Sequence, residues 1–178
     1  MRKIAVIFFV IFSILQSCTK KEPTRTSGVD TIDNITYFST TYYQYGFSFS
    51  SASLVSTNLN PGPDITIYVN VDTVTKPRLT LQTNKYKPSF YKVDDFPDEA
   101  TAKSAFDNLK TVPVAQWLYM ADPINANQVW IYRSSETEHY TKIRIVSIVN
   151  QTRQGVAYGE CSFQWVYQPD GSLTFPAK

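Results

Sequence analysis

The sequence is poor in the residues that most often carry catalysis or bind metals. Its 178 residues include one histidine, two cysteines and six glycines. A single imidazole cannot build a multi-histidine metal site, and the chain has no nucleophile elbow, phosphate loop or dinucleotide fingerprint. The acidic pairs Asp94–Asp95 and Asp98–Glu99 are typical of helix caps. We therefore predict a protein that is not an enzyme, in which His139 is a solvated turn residue.

The chain also lacks a large excess of charge of either sign. It has 17 basic and 15 acidic side chains, and the two groups become equal if Arg2 and Lys3 are removed with an N-terminal signal. Nucleic acids and anionic membrane surfaces attract proteins through an excess of positive charge. The composition thus argues against either of them as the main partner.

No apolar run is long enough to cross a membrane. The longest, residues 4–15, is interrupted only by Ser13 and follows two basic residues. A membrane-spanning helix needs about 20 apolar residues, whereas this shorter pattern is typical of a secretory signal.

The end of this run resembles the lipobox of bacterial lipoproteins, with Leu15, Ser17 and Cys18 at the characteristic spacing. The resemblance implies cleavage before Cys18 and lipidation of its thiol and new amino group. The alternative is an ordinary signal with Cys18 as a passenger thiol. We assign residues 1–17 to a lipoprotein signal peptide, 18–30 to a polar, flexible tether, and 31–178 to one folded domain.

The domain composition favours β-structure. Twelve tyrosines and eleven phenylalanines occur with many threonines, valines and isoleucines, which suit a pleated, half-buried surface. Alternation is clearest at Ile65, Ile67 and Val69. Cys161 lies in another alternating run and is expected to be a buried structural thiol. The predicted strands are 35–38, 42–55, 65–71, 79–83, 89–93, 116–120, 128–134, 139–150, 156–168 and 172–175.

One short helix is predicted, at about residues 97–110. Asp95 or Pro97 would open it, Asp98 and Glu99 would lie in its first turn, and Pro113 forbids its continuation. Its apolar stripe is Ala102, Ala105, Phe106 and Leu109. The fold class is therefore mainly β, a single-domain antiparallel sandwich or barrel-like fold with one helix.

The segment from Lys76 to Lys92 has five basic residues and no acidic one. It could form a cationic, aromatic surface for a flat anionic ligand such as haem. It could equally be a solvated hairpin whose lysines prevent edge-to-edge aggregation. The contact candidates under the first interpretation are Lys85, Tyr86, Lys87, Tyr91 and Lys92. Met120, at a strand end before a loop, is either a packing residue or a soft axial ligand to haem iron.

Six segments stand out, and the resemblance they carry spans most of the chain from about Tyr37: Tyr45–Val55, Asp64–Thr66, Phe106–Pro113, Trp117–Tyr119, Val129–Ile148 and Phe163–Phe175. In these segments the chain resembles the HmuY-like haemophore family. The final strand and hairpin are the most similar.

The resemblance implies an all-β, lipid-anchored protein at the outer membrane or cell surface of a Gram-negative bacterium. Characterised relatives clamp haem iron between two His or Met side chains and pass haem to an outer-membrane receptor. Met120 falls near one ligand position, while the segment that carries the other is missing here, since Val112–Pro113 is followed almost at once by Trp117. The alternatives are a five-coordinate site or a tyrosine-ligated one, for which Tyr86 or Tyr91 could supply the ligand.

Two hypotheses follow. In the first, the protein is a haem carrier of the HmuY type, with Met120 as a ligand and Lys85, Lys87 or Lys92 on the propionates. In the second, it is a surface lipoprotein of the same fold without a haem site, which binds a partner protein or another ligand.

The anchor can be tested directly. If Cys18 is lipidated, intact-mass analysis of the mature chain will show acyl groups on an N-terminal Cys18, and Cys18→Ser will release the protein from the membrane fraction. A mature N-terminus without acyl chains would contradict the assignment.

Overall fold

The computed structural model describes residues 25–35, 44–71, 77–134 and 137–176, and within them β-strands predominate. The predicted mainly-β class with one short helix is confirmed. The elements are β1 (Ser27–Asp33), β2 (Tyr45–Ser48), β3 (Ser53–Ser56), β4 (Thr66–Asn70), β5 (Arg78–Gln82), β6 (Phe90–Asp95), α1 (Glu99–Asn108), β7 (Met120–Ala121), β8 (Gln128–Arg133), β9 (Tyr140–Arg153) and β10 (Val156–Gln168).

The largest sheet is antiparallel, with the strand order β1-β10-β9-β8-β6. Its centre is the long hairpin of β9 and β10, which pair along their whole lengths. The hairpin is closed by Gln154 and Gly155, both with positive φ (51° and 79°). Two consecutive positive-φ residues form the tight turn whose twist matches that of paired strands.

One face of this sheet packs against a β2–β3 hairpin and a three-stranded sheet of order β4-β5-β7. The core between them is rich in aromatic rings: the centroid of Phe47 lies 5.4–5.5 Å from those of Phe49, Phe163 and Trp165. These are edge-on or tilted contacts, which the ring quadrupoles favour.

The other face of the large sheet packs against α1 and the C-terminal segment. Phe106 of the helix is buried with Val129 and Val166. At the C-terminal end of α1, the buried Lys142 ammonium donates to the carbonyls of Phe106 (2.7 Å) and Leu109 (2.9 Å). A cation there satisfies carbonyls that lack helical partners and complements the helix dipole.

The helix is shorter than predicted at its start. Asp98 is the N-cap, and its carboxylate accepts from the Thr101 backbone N–H at 2.8 Å. Asp94 and Asp95, predicted as caps, are instead the last residues of β6. The predicted stripe is confirmed at Ala102 and Phe106, which are fully buried.

The predicted tether of residues 18–30 is wrong over Ser27–Asp30, which belong to β1. The polar composition of this segment suggested disorder, but its backbone completes the edge of the large sheet against β10. Asp30 fixes it further, because its carboxylate accepts from the Trp165 indole N–H at 2.7 Å and pairs with Arg25. Cys18 lies outside the described residues.

Three strand predictions are also corrected. The strand predicted over 42–55 is a hairpin in its described part, because residues 49–52 turn the chain and Ala52 has a positive φ. Of 116–120, only Met120 lies in a strand, and 172–175 contributes only an isolated bridge between Thr174 and Thr111. Most of the 35–38 prediction lies outside the described residues. The strands predicted over 65–71, 79–83, 89–93, 128–134, 139–150 and 156–168 are confirmed to within a few residues.

In the described part of the chain, no helix has the length and apolarity needed to span a membrane.

The burial of Lys142 generates a stability prediction. Lys142→Met should lower the free energy of unfolding by about 1–3 kcal/mol, because the helix-end carbonyls lose a charged donor. Lys103→Met is the matched control: it removes an exposed ion pair with Asp107, so it should cost about 0.5 kcal/mol or less. Urea denaturation at pH 7 measures both. Equal stability of the two variants would contradict the proposed role of Lys142.

Candidate functional site

A cleft of about 400 Å³ with a mixed polar and apolar lining adjoins the core at Tyr132 and Tyr167. The cleft is surrounded by the β2–β3 hairpin, the loop before β4 and the loop after β5. The ends of β8 and β10 and the residues just before β9 complete it. Its lining is Ser48, Ser50, Ser51, Val55, Pro61, Gly62, Pro63, Asp64, Thr83, Asn84, Lys85, Tyr132, Ser134, Thr137, His139 and Tyr167.

The carboxylate of Asp64 is held in one orientation. One oxygen accepts from the backbone N–H of Phe49 at 2.8 Å, and the other accepts from the hydroxyl of Tyr132 at 3.2 Å. Tyr132 is fixed in turn, since its ring packs in the core against Phe49 and Phe90. The core therefore determines where the negative charge of the cleft lies.

His139 and Tyr167 form the second fixed pair in the cleft. The His139 Nδ1 and the Tyr167 hydroxyl oxygen are joined by a hydrogen bond of 2.6 Å. Burial raises the pKa of Tyr167 to about 12, and the charge of Asp64 contributes to the shift. The phenol is therefore neutral at physiological pH. The prediction that His139 is a solvated turn residue is wrong, because this contact holds a half-buried ring against β10.

Among the polar side chains of the cleft, hydroxyl groups predominate, with one carboxylate, one ammonium, one imidazole and one amide. Hydroxyls both donate and accept hydrogen bonds. Chemically, the arrangement suits the recognition of a small polar molecule.

The predicted ligand Met120 lies elsewhere. In the short pairing of β5 with β7, Ala121 is opposite Leu81 and Met120 is opposite Gln82. Because Leu81 and Ala121 are both buried in the core, alternation places Met120 on the outer face of this sheet, where it is 36 % exposed.

The predicted contact residues are divided among three places. Lys85 lines the cleft. Tyr86 and Lys87 follow in the same exposed loop, and the Tyr86 ring stacks on Tyr119 with centroids 4.5 Å apart. The stack places Tyr86 against Tyr119, the residue that precedes Met120.

Tyr91 and Lys92 belong to β6 of the large sheet. Tyr91 packs near Trp117, with a centroid distance of 6.3 Å. The Lys92 ammonium lies 5.7 Å from the centroid of the Trp130 ring and pairs with Asp95. The hydrogen bond from Lys92 is the main reason that the pKa of Asp95 is lowered.

Cys161 is confirmed as a buried thiol. Its burial raises the pKa of the thiol far above the ordinary value, which keeps the nucleophilic thiolate unpopulated. Among the described residues, no group of three or more His, Cys, Asp or Glu side chains is arranged to hold a metal ion.

Sequence reasoning missed the cleft because its lining comes from distant parts of the chain. Two local signals were present. The Pro61–Gly62–Pro63–Asp64 loop places an acid directly after a rigid turn, and the single histidine stands beside a polar turn. Neither signal indicates that β10 would bring Tyr167 to the same place.

No protein-family model matches this sequence, and a search of curated proteins found no match.

Proposed function

We propose that this chain is a lipid-anchored binding protein of the bacterial cell envelope that holds a small polar ligand in the cleft and is not an enzyme. The observation that carries the proposal is the hydrogen-bond network of the cleft: Asp64 with Tyr132, and His139 with Tyr167. The anchor on Cys18 is part of the proposal and rests on the lipobox resemblance.

The size and rigidity of the cleft support binding. Ligand sites are usually preformed concavities of about 300–1,000 Å³ with a few fixed polar groups, and this cleft of about 400 Å³ fits that range. Two of its polar groups are attached to strands of the large sheet: Tyr132 lies on β8 and Tyr167 on β10. A preformed site loses little conformational freedom when a ligand enters.

The same contacts fix the polar groups of the cleft. The hydrogen bond to Tyr167 occupies the Nδ1 of the single histidine and sets the orientation of its ring, while Nε2 takes no part in this bond. The Asp64 carboxylate serves a backbone amide and a tyrosine hydroxyl. The side chains of His139 and Asp64 are therefore both held in fixed orientations by hydrogen bonds within the protein.

A thermal-shift screen with sugars, amino acids, organic acids, nucleosides and phosphates tests the proposal. A cleft ligand at 100 times its Kd should stabilise the fold by about 2.7 kcal/mol, which raises Tm by about 5–10 °C for a domain of this size. Ser51→Trp, which fills the cleft, should abolish the shift. Val114→Trp is the control, because Val114 is fully exposed and does not line the cleft.

Two outcomes would contradict this proposal. One is a screen in which no compound raises Tm. The other is a ligand that stabilises Ser51→Trp as much as it stabilises the unchanged protein.

Haem carriage is the second candidate, and one observation favours it. The exposed Tyr86–Tyr119 stack lies beside Met120, with Lys85 and Lys87 on the same loop. These residues could offer a thioether to the iron, a ring face to the macrocycle and ammonium groups to the propionates. They do not supply a second His or Met ligand, since the single histidine lies in the cleft with Tyr167.

A haemin titration tests this candidate. If Met120 binds iron, the purified mature domain will give a sharp Soret band that Met120→Ala shifts or abolishes, because the thioether ligand is lost. Leu118→Ala, a neighbouring exposed position, should leave the spectrum unchanged. An unchanged spectrum in Met120→Ala would exclude Met120 as a ligand, and no band in oxidised or reduced protein would exclude haem carriage.

A further inference from the structure

The chemistry of the cleft identifies a class of ligand. We infer that it binds a neutral, polyhydroxylated molecule of the size of a mono- or disaccharide. This inference rests on the proposed function and specifies its ligand.

The first argument is the kind of group that lines the cleft. Half of the lining side chains described above carry a hydroxyl, and each hydroxyl can donate one hydrogen bond and accept others. A saccharide presents a ring of groups with the same dual capacity, so its hydroxyls can be matched in either direction. The hydroxyl-bearing residues are Ser48, Ser50, Ser51, Thr83, Tyr132, Ser134, Thr137 and Tyr167.

The second argument is charge. The lining contains one carboxylate, Asp64, one ammonium, Lys85, and the imidazole of His139, which is bonded to Tyr167. Sites for phosphate or carboxylate ligands concentrate arginines or use the N-terminus of a helix, and α1 is not among the elements that surround this cleft. A lining with balanced charge imposes no net charge on its ligand, so a neutral molecule fits it.

The third argument is the fixed position of Asp64. A carboxylate is an acceptor, and hydrogen bonds to a charged group are worth about 1.5–3 kcal/mol, more than those between neutral groups. Phe49 and Tyr132 hold this carboxylate toward the cleft. It can therefore act as the strongest acceptor for a ligand hydroxyl, while Asn84 offers an amide with both a donor and an acceptor.

The cleft also has apolar surface for the C–H faces of a sugar ring. Val55, Pro61 and Pro63 contribute aliphatic carbon beside the polar groups. The eight hydroxyls already bond to groups of the protein, as Ser48 does to Ser50, but a hydroxyl retains capacity for a further hydrogen bond. An amino acid would use the two charges of the cleft and few of these hydroxyls, whereas a saccharide can use many of them.

Isothermal titration calorimetry of the mature protein tests the inference. The probes are maltose, cellobiose, lactose and chitobiose, with glutamine and inorganic phosphate as the zwitterionic and anionic comparators. At least one disaccharide should bind, and the comparators should not. Asp64→Asn should weaken that binding about 10- to 100-fold, because a charged acceptor becomes neutral. Asp107→Asn, an exposed acid on α1 outside the cleft, should leave the affinity unchanged.

Because Asp64 also bonds to Phe49 and Tyr132, Ser50→Ala provides a second variant that leaves these contacts in place. Ser50 is exposed and lines the cleft, and loss of one neutral hydrogen bond should weaken the disaccharide about 2- to 10-fold.

The outcomes separate this inference from the proposal on which it rests. If no disaccharide binds but another compound of the thermal-shift screen binds and is excluded by Ser51→Trp, the saccharide class is wrong and the binding function stands. If nothing binds, both fail. A disaccharide whose affinity is unchanged by Ser51→Trp binds elsewhere and overturns the inference.

Discussion

The structure depends on the pairing of β10 with a strand on each side. β10 is bonded to β9 over its whole length and to β1 over seven residues. Its side chains alternate: Phe163 and Trp165 enter the aromatic core, while Val166 packs under α1. Both faces of this central strand are thus buried, and a slip of one residue would exchange the two sets of side chains.

The cleft is a consequence of the same register. Tyr167 continues the core-facing series of β10, and its hydroxyl meets the imidazole of His139 just before β9 begins. On β8, which pairs with β9, Tyr132 similarly places its ring in the core and its hydroxyl on Asp64. A tyrosine can serve both environments because it has an apolar ring and a polar tip. Tyr132 and Tyr167 therefore form the boundary between core and cleft, with their rings in the core and their hydroxyls in the cleft.

The sequence allowed prediction of the elements whose signal is local. Alternation identified β4 and β10, and the stripe of Ala102 and Phe106 identified α1, because each face of these elements meets a different environment. The sequence pattern did not reveal the turn at 49–52, because the alternation of aromatic residues continues from Phe47 to Phe49 across the end of β2. It also missed β1, whose polar residues are ordered by backbone pairing with β10 and by the contact between Asp30 and Trp165. The cleft could not be derived because its residues meet only through that long-range pairing.

The two candidate ligands require different surroundings. Haem buries a large apolar ring and needs iron ligands that are held in place, whereas Met120 lies on the outer face of a sheet that contacts the core only through its other side. A polar ligand needs fixed donors and acceptors, and these are the groups that Tyr132 and Tyr167 bring to the cleft. The Met120 thioether is partly exposed, so it has little around it to exclude water from the iron. The hydroxyls of the cleft need no such exclusion, because they exchange hydrogen bonds with water for hydrogen bonds with the ligand. For this reason the geometry favours the cleft, which Lys85 of the basic loop lines.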